Sequence, residues 1–262
     1  MNIAAVCAHP DDIEILCAGT MAKYVKKGHK VTFIVATNGE AGAPSVSRED
    51  FKKIINGEKI DTFEEISGKN VISKEDIANI RHNEAKEGAR IIGADLIWLG
   101  YPDEFLFDNK ETRLAVLNAL RKAKADIIFT HYHDYYNPDH NTIGKIANDV
   151  GVILPHHNIP TDNPPLETNP YLYYMDTITG IGFEPEEYVD ITDVFELKKE
   201  ALLAHKSQYL FLKELAGIDY VDLMETQAKF RGYQSNVKYA EAFIGVKAWP
   251  RGITKQILPQ YL

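Results

Sequence analysis

The chain predicts an α/β fold: a Rossmann-like, mostly parallel sheet with helices on both faces. Three observations predict it. Apolar runs of strand length recur at residues 3–7, 31–37, 95–100 and 126–130. Stretches with apolar residues at helical spacing separate them, and polar or turn-forming clusters follow the first, second and fourth runs. Strands alternating with helices imply parallel pairing through right-handed crossovers, with ligands at the carboxyl ends of the strands. The 262 residues suit one domain over 1–262, with excursions from the sheet at about 43–73 and 154–170.

Each element has its own reason. Ile3 to Cys7 is continuously apolar and stops at Ala8-His9-Pro10-Asp11-Asp12, so it reads as a buried strand ending in a turn. Residues 14–27 carry Ile15, Leu16, Met21, Ala22 and Val25 at helical spacing, with Gly28 as the stop and Gly19 as an interruption that permits close packing. Lys30 to Thr37, β-branched and apolar through 31–35, is a second strand, closed by Asn38-Gly39-Glu40-Ala41-Gly42. Residues 43–73 show weak patterning, consistent with helical pieces in a lid or an oligomer contact. Ser73 is an N-cap for a helix ending at Gly93, and 95–100, 111–124 and 126–130 read as strand, helix and strand. A helix is expected over 141–151, with His140 at or near its start, followed by a Pro-rich surface loop over 154–170. Strands at 171–175, 189–191 and 239–246, a helix from Asp193 to Gln208 and a helix over 219–231 complete the chain.

Composition excludes several classes. A formal charge of −9 argues against nucleic acid or an anionic membrane surface as the main partner. Cys7 and Cys17 are too few for a disulfide framework and read as buried small apolar residues. No run is long and apolar enough for a membrane anchor, and no secretory leader precedes the first strand, so a cytoplasmic protein is expected.

The chemistry gathers at two strand ends. His9 and Asp12 lie three residues apart after the first strand, and His140 follows the fourth. Two His and one carboxylate with an open position fit a catalytic Zn2+, with Fe2+ or another divalent ion as the alternative. Asp11 would then lie beside the metal without binding it. Taken singly, a His-x-x-Asp turn is more often a satisfied surface feature; it is the pairing of two such turns after two strands that points to a metal.

The motifs extend beyond that turn. Ala8-His9-Pro10-Asp11-Asp12-Ile13-Glu14 with Gly19-Thr20 resembles the signature of the LmbE / PIG-L family of zinc-dependent N-deacetylases. Thr37-Asn38-Gly39-Glu40, Arg81-His82-Asn83-Glu84-Ala85, Leu99-Gly100-Tyr101-Pro102-Asp103, Pro138-Asp139-His140, Ala204-His205-Lys206-Ser207-Gln208 and Tyr239-Ala240-Glu241-Ala242-Phe243 follow in the family's order. The resemblance implies His9, Asp12 and His140 as metal ligands and Asp11 as general base. The implied reaction is hydrolysis of the acetamide of an N-acetylglucosamine-type amino sugar, a small-molecule substrate, by a homo-oligomer. The alternatives are an amide hydrolase of other specificity and a non-hydrolytic sugar- or nucleotide-binding protein. The latter fits poorly, because the first βα turn lacks Gly-x-Gly-x-x-Gly and carries acids.

One departure stands out. Where the family pattern has His-Pro-Asp-His, this chain has Asn137-Pro138-Asp139-His140. Either Asn137 donates a neutral hydrogen bond to the oxyanion, or His131 or His133 reaches the site, His133 being the preferred substitute, or the activity differs. Asp139 is then either a catalytic partner or the N-cap of the next helix. Arg81 either pairs with Glu84 along its helix or reaches the substrate. Glu40 either binds a substrate hydroxyl or serves its turn. His205 reads as structural, packing Ser207 and Gln208 against a neighbouring subunit, and Glu241 as half of a buried salt bridge. The group attached to the sugar is expected to contact residues 43–73 and 154–170.

Overall fold

The computed structural model describes residues 1–42, 47–56, 58, 72–215, 217–251 and 256–262. Its strands are β1 (Asn2–Cys7), β2 (Lys30–Thr37), β3 (Asp95–Tyr101), β4 (Ile127–Thr130), β5 (Tyr171–Met175), β6 (Glu187–Asp190) and β7 (Ala240–Gly245). They form one sheet in the order β3-β2-β1-β4-β5-β7-β6. Strands β1 to β5 pair in parallel, while β7 runs antiparallel to both β5 and β6. The helices are α1 (Asp12–Leu16), α2 (Ala18–Lys26), α3 (Arg48–Ile55), α4 (Lys74–Ile92), α5 (Lys110–Ala123), α6 (Pro138–Gly151), α7 (Phe195–Leu203), α8 (Lys206–Leu215) and α9 (Tyr220–Ser235). No described helix is long and apolar enough to cross a membrane.

Side-chain alternation along the strands builds two cores. Ile3, Ala5 and Cys7 of β1 and Val31, Phe33 and Val35 of β2 face the layer that contains α1, α2, α7 and α9. Ala4, Val6, Ile34 and Ala36 face the other layer, with α5 and α6. The sheet is therefore covered on both faces, as the continuous apolar strands require. Beside it, Phe51 of α3 packs with Ile72, Ile77 and Leu210, which ties the helical part of the 43–73 excursion to α4 and α8. The rest of that excursion lies largely outside the described residues.

Several boundaries differ from expectation for identifiable reasons. The helix expected over 14–27 is broken at Cys17 (φ −146°), giving α1 and α2. Gly19 then begins α2 so close to Ile191 that a Cβ would stand 2.8 Å from its Cγ2. Asp193 does not cap a long helix: it pairs with Lys23 and Lys26, and the chain makes a 3-10 turn before α7. The 193–208 stretch is itself divided, because His205 sits buried at the junction of α7 and α8. His205 faces Glu14, and Ser207 bonds Glu84 within the same chain, so neither is turned toward a neighbouring subunit. Strand β7 is interior to the sheet, and its Glu241 is buried with Lys198 while accepting from the Gly19 and Thr20 amides at the start of α2.

The direction of α6 corrects one functional expectation. It starts at the carboxyl end of β4, so it delivers the chain to the amino end of β5. The 154–170 loop is therefore at the opposite end of the sheet from His9 and Asp12. Arg121 of α5 anchors it there through the carbonyls of Leu154, His156 and Ile159.

Candidate active site

Strand β1 lies between β2 and β4, the point where strand order reverses and where open α/β sheets form their binding crevice. His9 and Asp12 leave β1 there, and His140 arrives in the first turn of α6. His9 Nδ1 stands 3.0 Å from His140 Nε2, and Asp12 offers Oδ1 to His140 at 3.2 Å and Oδ2 to His9 Nδ1 at 3.5 Å. One nitrogen or oxygen from each of the three residues thus converges on a common point. The 3.0 and 3.2 Å separations that meet at His140 Nε2 are close to the edge of a tetrahedron with about 2 Å bonds to its centre. The His9 amide donates to Asp12 Oδ2 at 2.7 Å, which locks the turn.

The surroundings favour positive charge at that point. Burial alone would lower the His9 pKa, but the carboxylates of Asp103, Asp12 and Asp139 raise it well above the usual imidazole value. Asp103 Oδ1 lies 3.1 Å and Asp139 Oδ2 3.4 Å from His9 Nε2, the ring nitrogen turned away from His140. A carboxylate on the far nitrogen of a His is the usual support of a metal-ligating imidazole. Among the described residues His140 Nδ1 is buried without a hydrogen-bond partner, and its ring stacks on His131 at 4.0 Å. The donor set fits a divalent cation.

Asp11 has φ 99°, a left-handed conformation that costs a non-glycine residue about 1–3 kcal/mol. The turn places its carboxyl in the same cavity, 3.3 Å from Arg81 Nη2. Burial raises the Asp11 pKa, and the Arg81 guanidinium only partly offsets it. Arg81 also donates to the carbonyls of Gly39 at 2.8 Å and Pro10 at 2.9 Å. A Cβ at Gly42 would run into its guanidinium, which explains the small residues after β2. Arg81 is not paired with Glu84, whose carboxylate instead accepts from the Ser207 amide and hydroxyl.

The other sequence candidates separate clearly. Asn137, not Asp139, caps α6: its Oδ1 accepts from the amides of Asp139 and His140. Its Nδ2 remains at the cavity, 3.4 Å from Glu104 Oε1. Asp139 accepts from the amides of Glu104 and Leu106, fixing the loop after β3 beside His9. His133 is outside the site; it stacks on Tyr132 and lies edge-on to Tyr174 in a separate cleft. His131 is the nearer imidazole, with Nε2 3.1 Å from Asp12 Oδ2, and burial drives its pKa down to about 4. It stands behind Asp12 and does not line the cavity. Glu40 is also outside the cavity, bonded to Asn38 and facing Lys74. Asp103 and Gln208 are additions: both line the cavity, and Gln208 Oε1 is buried there without a hydrogen-bond partner among the described residues. Asp103 was foreshadowed by Tyr-Pro-Asp at the end of a third strand, once the order β3-β2-β1 is known.

Residues 4–150 match the model of the PIG-L family, described as GlcNAc-PI de-N-acetylase. The chain belongs to the PIG-L family. The diacetylchitobiose deacetylase of Thermococcus kodakarensis is 26% identical over 268 residues, spanning 98% of this chain and 86% of that protein. Among solved structures, the N,N'-diacetylchitobiose deacetylase of Pyrococcus horikoshii superposes with a TM-score of 0.73 at 24% identity, over 93% of this chain and 83% of its own. GalB of Pseudomonas putida, a 4-carboxy-2-hydroxymuconate hydratase, also superposes with a TM-score of 0.73, at 20% identity over 98% of this chain and 100% of its own. The PIG-L fold thus carries more than one reaction, and the chemistry of this chain has to be argued from its site.

Proposed function

We propose that this PIG-L chain is a metal-dependent N-deacetylase that releases acetate from an N-acetylglucosamine-type amino sugar. The observation that carries the reading is the convergence of His9, Asp12 and His140 in a cavity of about 380 Å³ that also exposes the Asp11 carboxyl. The T. kodakarensis relative, a deacetylase of diacetylchitobiose by name, supports the amino-sugar substrate. His9, Asp12 and His140 would hold zinc or another divalent cation, which polarises an amide carbonyl and acidifies water at the site.

The chain's own groups supply the rest. Asp11 accepts the proton of the attacking water, a role suited to a carboxyl that burial has made more basic. It returns that proton to the amide nitrogen as the carbon–nitrogen bond breaks, so that a neutral amine leaves, and the acetic acid formed gives its remaining proton to solvent to become acetate. Arg81 holds Asp11 from behind, its Nη atoms engaged with protein acceptors, and acts as a positioning residue. Asn137 Nδ2 donates a neutral hydrogen bond to the oxygen that gains charge, since its Oδ1 is committed to the α6 cap. Asp103 and Asp139 orient His9.

The test is metal analysis of the purified chain together with acetate release from an N-acetylglucosaminide. About one divalent ion per chain and turnover are expected, both lost in His9→Ala. A His9→Ala protein that keeps both would sink the assignment.

A further inference from the structure

The cavity has two unlike walls. The wall formed by the loop after β3, the turn after β4 and the start of α6 is polar. The opposite wall comes from α1, α8, α9 and the turn after β5, and presents Ile15, Ile178, Leu212, Ile218 and Leu223. The Ile218 amide donates to the Leu212 carbonyl at 2.9 Å, folding the α8–α9 connection back on itself. Ile15, Ile178 and Leu212 pack on the core, whereas Ile218 is 44% exposed. The apolar wall therefore runs from the interior out to solvent.

Charge is distributed just as unevenly. Among the described lining residues, Asp11, Asp12, Asp103 and Glu104 are acids and Arg81 is the single Lys or Arg. Both Arg81 Nη atoms are already engaged with Gly39, Pro10 and Asp11. Among the described lining residues, a phosphate or carboxylate carried on the sugar would meet acids and, apart from Arg81, no Lys or Arg.

From this pairing of an aliphatic wall with a solvent end whose described charged lining residue is Glu104, we infer that the substrate's attached group is uncharged and apolar, an alkyl or aryl aglycone lying along Leu212, Ile218 and Leu223. The inference rests on the deacetylase reading and specifies its substrate. The scissile acetamide must lie at the His9–Asp11–His140 end, so the solvent end of the apolar wall falls to the group attached to the sugar. A longer N-acyl chain would instead begin at the buried end.

Two measurements test it. The first compares kcat/KM for methyl, hexyl, phenyl and carboxymethyl N-acetylglucosaminides of one anomeric configuration. Hexyl and phenyl glycosides should exceed the methyl glycoside by about tenfold or more, with the carboxymethyl glycoside no better than methyl. In Ile218→Ser the hexyl-to-methyl ratio should fall toward one; Leu223→Ser gives a second, independent reading of that ratio. The second measurement is calorimetric binding of hexyl and methyl glucosides, which carry no acetamide and report on the wall even if no acetate is released. Hexyl should bind about tenfold tighter than methyl, and Ile218→Ser should abolish the difference. Equal binding of the two glucosides, or a preference for the carboxymethyl substrate or for N-hexanoyl over N-acetyl sugars, overturns the inference. Tighter hexyl binding without acetate release from any glycoside supports the apolar wall and rejects the deacetylase reading instead.

Discussion

Asp103 Oδ1 stands 3.1 Å from His9 Nε2, on the side of the ring away from His140 and Asp12. Its other oxygen accepts from the Ala41 amide at 3.0 Å, so the carboxylate is fixed from both sides. Asp103→Asn should leave the fold intact and loosen the hold on His9. A drop in divalent-metal affinity of about 10–100-fold is expected, measured by chelator competition. Unchanged affinity would show that Asp103 serves only the Ala41 turn.

Asp11 invites a substitution that separates chemistry from structure. Its φ of 99° is better tolerated by Asn than by most residues, so Asp11→Asn should keep the turn. It should also keep the bound metal, because Asp11 is not among the converging donors. Turnover should fall by about 10²–10⁴-fold. Retained metal with retained turnover would remove Asp11 from the proton transfer.

These two residues mark what the sequence made legible and what it did not. His9 and Asp12 could be read from the turn after the first strand and His140 from the segment after the fourth, because parallel strands bring their carboxyl ends to one edge. Asp103 stands at a strand end as well, but its proximity to His9 depends on strand order, which local pattern does not encode. Between His131 and His133, the answer turns on how the chain leaves β4 after Thr130, a path set by tertiary packing. Arg81 and Glu84 are neighbours on a helix surface, yet each finds a better-placed partner elsewhere, Asp11 and Ser207. The 154–170 loop lies at the far end of the sheet because a helix beginning at the site must carry the chain away from it.

Glu241 is 4% exposed and takes hydrogen bonds from Thr20 Oγ1 at 2.6 Å and from two backbone amides, besides its pairing with Lys198. Glu241→Ala should strand a buried ammonium and unsatisfied helix-start amides. A loss of about 3–5 kcal/mol is expected in denaturant unfolding. Glu241→Gln, which retains one acceptor oxygen for the amides, should lose less. Equal losses would place the whole cost on the Lys198 charge.

A second ionic cluster predicts how stability responds to acid. Asp108, just before α5, is hydrogen-bonded to Arg113 of that helix and to Lys145 of α6, and these hold its pKa well below the usual carboxylate value. A carboxyl depressed in the folded state stabilises the fold above its unfolded pKa of about 4, and that contribution is lost as pH falls toward the folded value. Asp108→Asn should therefore narrow its stability gap to wild type as pH drops from neutral to below about 4. Urea midpoints across that range provide the measurement. A gap independent of pH would mean the cluster is screened by solvent.

In the proposed reaction Asn137 does two jobs with two atoms, and three substitutions take them apart. Asn137→Asp keeps an acceptor for the Asp139 and His140 amides, so the α6 cap should survive. It removes the Nδ2 donor beside the cavity and adds a negative charge where the oxyanion forms. Turnover should fall by about 10²–10³-fold at nearly unchanged stability. Asn137→Ala should lose the same donor and also about 0.5–2 kcal/mol of stability with the cap. Asn137→His restores the residue of the family pattern at the cost of the cap, so it should raise turnover while lowering the melting temperature. If Asn137→Asp turns over like wild type, the donor to the oxyanion is another group, and Asn137 is a helix cap alone.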